Sequence, residues 1–129
     1  MHLTIIRGLP GSGKSTEAKK RGVFHVEADM FCMKDGEYCF SNKSHKKNHS
    51  KCQKMIEFAL SSGCDCVVSN TFTTLDEITP YLSMARKFGA NVEVVRMNSN
   101  YGTIHNTPTG VIDRMRERFE DYIGEMTIN

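Results

Sequence analysis

Apolar residues in this chain come in short dense runs that alternate with stretches where they recur every three or four positions, a pattern of strands alternating with amphipathic helices. Residues 2–7 alternate and then run apolar into a glycine-rich turn, which predicts a buried parallel strand whose carboxyl end presents the glycines. Residues 16–21 continue as a first helix, and Gly22 stops it. The stretch VFHVEAD, 23–29, is rich in β-formers and predicts a second strand that ends on an acid. Between 30 and 44, Asp35, Gly36 and Asn42 stand among the aromatics Tyr38 and Phe40, so a loop or small hairpin is expected. Over 45–60, Cys52, Met55, Ile56, Ala59 and Leu60 recur at helical spacing with lysines between them, and Ser61, Ser62 and Gly63 close that helix.

The second half repeats the alternation. CDCVVSN, 64–70, predicts a short apolar strand, with Cys64 and Cys66 sharing a face around Asp65. Thr73 or Thr74 with Glu77 fits a capping arrangement for the next helix. Pro80 either kinks that helix or opens a second one with Thr79 as its cap, running through Tyr81, Leu82, Met84, Ala85 and Phe88 to Gly89. NVEVVRM, 91–97, is a further strand, 98–107 is a polar loop, and 108–123 is expected to be a closing helix. Its inward positions are Val111, Ile112, Met115, Phe119 and Tyr122 or Ile123. The whole predicts an α/β protein with a parallel sheet of about four to five strands, helices on both faces and ligands at the carboxyl ends of the strands; Gly8, Gly13, Lys14 and Ser15, spaced as G-x-x-x-x-G-K-[ST] straight after the first strand, make the expected fold that of a P-loop NTPase.

Composition narrows the picture only in part. A length of 129 residues predicts a single domain, 1–129, with 39% hydrophobic and 25% charged residues as in ordinary soluble proteins. No apolar run reaches membrane-spanning length, and the amino terminus leads straight into a strand without room for a signal peptide; a cytoplasmic protein with no membrane partner is expected. Five cysteines form an odd set without disulfide-framework spacing. Cys32, Cys39, His49 and Cys52 could close a zinc tetrahedron, but no C-x-x-C pair supports it, and reduced, buried thiols are the preferred reading. The net charge is +2, yet Lys43, Lys46, Lys47, Lys51 and Lys54 crowd together. They form either a solvated helix face or a track for phosphates.

The candidate chemistry begins with GLPGSGKST, in which Gly8, Gly13, Lys14 and Ser15 fit G-x-x-x-x-G-K-[ST] between a strand and a helix. Gly11, Ser12 and Gly13 let backbone N–H groups turn inward on phosphate oxygens, and the helix start adds its positive dipole end. Lys14 is expected to reach the β- and γ-phosphates of ATP, Ser15 to ligate Mg2+, and Thr16 to touch the α-phosphate. Asp29 should fall at the same sheet edge, as a general base for an acceptor hydroxyl or else as an acidic cap or turn residue. Hydrolysis motors carry an acid where CDCVVSN ends in Ser69 and Asn70, so the strand leans toward a kinase-like site. Asn70 and Thr71 remain able to bond a substrate phosphate or a metal-bound water. Two H-x-T pairs, at His2 and His105, match a phosphodiesterase pattern, but His2 lies at the opposite sheet edge from the loop, and a chance match is the better account.

GLPGSGKST, EADMF, GEYCF, HSKC, VVSNTFTTLDEITPYL and IHNTPTGVIDRMRERFE, in this order, resemble the family of small P-loop proteins related to the kinase domain of bacteriophage polynucleotide kinase, which includes many viral and bacterial ATP-binding proteins. The resemblance covers nearly the whole chain. It implies ATP-dependent phosphorylation of a 5′-hydroxyl of DNA or RNA, with Asp29 as the base, Lys14 and Ser15 handling ATP and Mg2+, and Asn70 and Thr71 at a substrate-side strand end. A viral or phage origin is suggested with it. Two departures stand out: Cys32 occupies the place of a substrate-gripping arginine, and NSNYGTIHNTP carries none of the family's lid arginines. Arg96, Arg114 and Arg118 are the nearest replacements, with Arg114 the one expected at the nucleotide. Lys46, Lys47 and Lys51 would meet the nucleic acid. Two other readings stay open: a noncatalytic ATP-dependent docking module, and a kinase of a small hydroxylated molecule or nucleotide.

Overall fold

The computed structural model describes residues 1–28, 33–34, 37–38, 42–98 and 109–129. In chain order the elements are β1 (His2–Gly8), α1 (Lys14–Lys20), β2 (Phe24–Glu27), β3 (Met33–Lys34), β4 (Glu37–Tyr38), α2 (Asn42–Ser61), β5 (Cys66–Asn70), α3 (Leu75–Phe88), β6 (Asn91–Met97), α4 (Thr109–Arg118) and β7 (Met126–Ile128). Five strands make one sheet in the order β2-β5-β1-β6-β7, and each neighbouring pair is parallel. β3 and β4 pair antiparallel as the small hairpin that the turn formers suggested.

The sheet is covered on both faces because its strands are apolar on both. Leu3, Ile5, Val26, Val68 and Val94 pack with Cys52, Ile56, Ala59 and Leu60 of α2 and Ile78, Tyr81 and Ala85 of α3. On the other face Ile6, Val67, Val95 and Met97 pack with Ala18 of α1. β1 sits at the centre, and its residues Leu3, Ile5 and Ile6 are fully buried. This is the α/β architecture read from the alternation.

Three details depart from the sequence reading, each for a physical reason, and one alternative left open at Pro80 is decided. Met55 is exposed at 38%, since the buried stripe of α2 runs through Cys52, Ile56, Ala59 and Leu60 and leaves it at the rim. Cys64 does not share a face with Cys66. It closes α2 instead, with its N–H bonded to the Ala59 carbonyl beyond Gly63 at φ 78°, and it is exposed. α3 runs through Pro80 as one helix, and Thr79 serves as no second cap; its hydroxyl bonds back to the Leu75 carbonyl at 3.0 Å. The closing helix stops at Arg118, so Ile123 is solvent-exposed and the chain turns at Gly124, φ 95°, into the unforeseen strand β7.

Candidate active site

The loop between β1 and α1 follows from three glycines. Gly8 ends β1 against Met97 of β6; a Cβ there would lie 2.5 Å from Ser12 Oγ and 2.8 Å from the Met97 carbonyl, so no side chain fits without displacing backbone. Gly11 and Gly13 take φ 79° and 91°, the left-handed region open to glycine. Gly13 caps α1, which begins at Lys14, two residues ahead of the expected start. The Ser12 hydroxyl is buried without a hydrogen-bond partner among the described residues. The Gly8 N–H bonds to the Thr71 carbonyl at 3.2 Å, which fastens the loop to the end of β5.

Lys14 lies across its own loop, Nζ donating to the Leu9 carbonyl at 2.9 Å. Ser15 Oγ donates to Glu27 Oε2 at 2.8 Å, and Ser69 Oγ donates to the same oxygen at 2.9 Å. His25 Nε2 stands 2.9 Å from Ser69 Oγ. Because the single Ser69 proton goes to Glu27, the imidazole nitrogen is the donor in that contact. Burial opposes ionisation of Glu27, but the contacts with His25, Ser15 and Ser69 outweigh it and hold the carboxyl well below its ordinary 4.5, at about 2. Thr16 is exposed on the first turn of α1.

The end of β2 is fixed beside this cluster. The Ala28 N–H donates to Asn70 Oδ1 at 2.7 Å, which ties Asn70 to the backbone that leads into Asp29, while its buried Nδ2 has no partner among the described residues. Asp29 itself, Cys32, Cys39 and the 99–107 segment with His105 lie outside the described residues. Among the described residues no group of three or more His, Cys, Asp and Glu could hold a metal ion. Cys52, counted in the zinc reading, is buried in the apolar core. An oxygen donor such as Ser15, on a loop whose inward N–H groups suit phosphate, fits Mg2+ held jointly with phosphate oxygens.

The arginines fall into two groups. Arg114 and Arg116 are exposed on α4, and Arg116 lines a cleft of about 200 Å3 with Leu9, Ser12, Arg96, Met97, Asn98 and Phe119. Arg118 Nε donates to Thr73 Oγ1 at 3.1 Å. Arg96 pairs with Asp121 and, at 3.4 Å, with Glu125, and its guanidinium lies 4.4 Å from the Phe119 ring centre. Arg7, its register neighbour on β1, is fully buried: it bonds Glu125 Oε1 at 3.0 Å and the Phe72 carbonyl through Nε and Nη2, and also lies 4.4 Å from Phe119. Phe72 has φ 46°, and the paired bonds to its carbonyl hold that unusual backbone just after β5. Lys47, Lys51 and Lys54 are exposed along α2; the side chain of Lys46 lies outside the description.

Sequence reasoning missed Arg7 and Glu27. Arg7 was hidden by its place in the run before the glycines. Glu27 left one partial signal, its place two positions before Asp29 on the same alternation, but only the pairing of β2 with β5 brings it to Ser15.

A phosphate loop at the carboxyl edge of a parallel sheet defines a P-loop nucleotide-binding protein. Residues 3–122 match the AAA domain family, and the chain belongs to it. A relative from Pasteurella multocida (strain Pm70), an uncharacterized protein, is 30% identical over 88% of this chain and 73% of its own length. Among solved structures, a sugar kinase from Janibacter sp. HTCC2649 superposes with a TM-score of 0.66 at 13% identity, over 99% of this chain and 83% of that one. A chain of the Pnkp1/Rnl/Hen1 complex gives 0.63 at 18% identity, over 88% of this chain but 38% of that one. At these identities the likeness is one of fold, the P-loop NTPase fold that the alternation and the glycine motif predicted. Among the described residues no helix is long and apolar enough to cross a membrane.

Proposed function

We propose that this protein is an ATP-dependent kinase that phosphorylates a hydroxyl group, foremost the 5′-hydroxyl of a DNA or RNA end. One juxtaposition carries the reading: Lys14 and Ser15 stand at the same sheet edge as the end of β2, which is tied down by the Ser15 bond to Glu27 and the Ala28 bond to Asn70 and runs directly into Asp29. In the reaction the acceptor oxygen bonds to the γ-phosphorus as the bond from that phosphorus to the bridging oxygen of ADP breaks, and the acceptor proton passes to the Asp29 carboxylate. Gly11, Ser12 and Gly13 hold phosphate oxygens by their N–H groups, Thr16 serves the α-phosphate, and Lys14 leaves the Leu9 carbonyl for the β- and γ-oxygens. Mg2+, when bound through Ser15, supplies charge neutralisation on the leaving phosphates. Arg114 and Arg116 are the exposed α4 cations for the nucleotide or acceptor, and Lys46, Lys47 and Lys51 are the cations of α2 assigned to the polynucleotide backbone.

A second reading is favoured by one observation. Arg96 and Arg118 are engaged by Asp121, Glu125 and Thr73, which leaves fewer cations for a developing transition state and suits a nucleotide-dependent docking module. Incubation with Mg2+, γ-labelled ATP and 5′-hydroxyl DNA and RNA oligonucleotides, with nucleosides and sugars in parallel, separates the readings. Label on an oligonucleotide, lost in Asp29→Ala and Lys14→Ala, is the expected result. Label on a small molecule alone keeps the mechanism and changes the acceptor, whereas ATP binding without any transfer favours the docking module.

A further inference from the structure

The strand next to the phosphate loop ends without an acid, since β5 offers Ser69 and Asn70 where nucleotide-hydrolysing P-loop proteins place the carboxylate that organises the cation. The acid is nevertheless present, one strand further out. Glu27 of β2 is in register with Ser69, and its Oε2 reaches past that strand to accept hydrogen bonds from Ser69 at 2.9 Å and from Ser15 at 2.8 Å. The bonds run in one direction, from His25 to Ser69, from Ser69 to Glu27, and from Ser15 to Glu27.

We propose that Glu27 is the relocated cation-organising carboxylate of this site, a positioning residue that accepts the hydrogen bond of the Ser15 hydroxyl and so leaves the oxygen lone pairs of Ser15 to the metal ion of a bound nucleotide. The inference rests on the nucleotide reading of the loop. Three observations support it. Ser69 is too short to replace an acid and is itself a donor to Glu27. His25 donates to one lone pair of the Ser69 hydroxyl, so the Glu27 carboxylate is held by an ordered set of donors on the α1 side of the sheet. Asn70, the other residue at the end of β5, spends its amide oxygen on the Ala28 N–H and carries no charge, and its amide nitrogen is no metal ligand, so it does not replace the acid. A carboxylate one bond removed from a metal ligand orients that ligand and raises its basicity, and losing such a partner typically weakens metal binding about 10- to 100-fold.

Calorimetric titration of the full chain with ATP, once in Mg2+ and once in EDTA, tests this through the ratio of the two affinities, with thermal unfolding as a check on folding. In Glu27→Gln the affinity for metal-free ATP should stay within about twofold of the parent while the gain from Mg2+ falls by about 10-fold or more. Adding Ser69→Asp to that variant, which returns an acid to β5, should restore the gain. Glu27→Asp keeps the charge but draws the carboxylate back from Ser15, and it should lose part of the gain; this variant carries the test if Glu27→Gln does not fold. An unchanged Mg2+ gain in Glu27→Gln, or an equal loss with and without Mg2+, overturns the proposal while leaving the nucleotide reading intact. Failure of the parent protein to bind ATP in either condition overturns both together.

Discussion

Glu27 shows how a single side chain is set by its neighbours. Its carboxyl is brought from 4.5 to about 2 in the folded protein, so the associated stabilisation is complete above about pH 4.5 and is lost as the pH falls toward 2. Denaturant unfolding of the parent and of Glu27→Gln between pH 6 and pH 2 checks this, and the variant should show the shallower acid loss. Cysteines give a second test at the same scale. Burial, with Asp65 and Cys64 nearby, pushes the Cys66 thiol up to about 11, and Cys52 is wholly buried, whereas Cys64 is exposed beyond the end of α2. Among these three, native-state alkylation near pH 8 followed by mass spectrometry should label Cys64 and spare Cys52 and Cys66. Equal labelling of Cys66 would mean that β5 does not start where the structure puts it.

At the level of elements, local patterns located most pieces but misjudged their ends. The capping reading of Thr73, Thr74 and Glu77 put the start of α3 in the right place, yet Thr74 makes no side-chain cap. The Leu75 N–H is met at 2.7 Å by Glu120 from far along the chain, and the Glu120 N–H bonds the Thr73 carbonyl at 2.7 Å. A partner 45 residues away has no local signal. The same segment explains the error in the closing helix. Phe119 sits under Arg7 and Arg96, and Asp121 and Glu125 pair with these cations, so the chain leaves its helix to follow the sheet. The three residues of β7 are too few to show a period. Glu125→Ala should destabilise the protein by about 3–5 kcal/mol, because it leaves the buried Arg7 guanidinium without its anion. A double variant with Arg7→Met should recover part of that loss in the same unfolding measurement.

For the whole molecule, the strand–helix alternation and the glycine spacing sufficed for the sheet, its two covered faces and the location of the loop. These depend on burial and backbone conformation, which short sequence windows record. The relation of Glu27 to Ser15 depends on which strands become neighbours, and it was not legible until β2 and β5 were paired. Charge distribution belongs to this scale as well. If single-stranded nucleic acid lies along α2, replacing Lys46, Lys47 and Lys51 by Gln should weaken binding and make it less salt-sensitive, the log–log slope falling by roughly 0.7 for each phosphate no longer neutralised. Fluorescence anisotropy with a labelled oligonucleotide at several salt concentrations checks this, and an unchanged slope would take α2 out of the interface.

The pairing of Arg7 with Glu125 also sets an order of events during synthesis. The central strand is made before the anion that neutralises its buried charge, which lies 118 residues downstream. Until that acid emerges, placing β1 in the sheet would strand a cation in an apolar interior. A copy cut short before Glu125 is therefore expected to hold its central strand poorly and to stay open to proteases and chaperones.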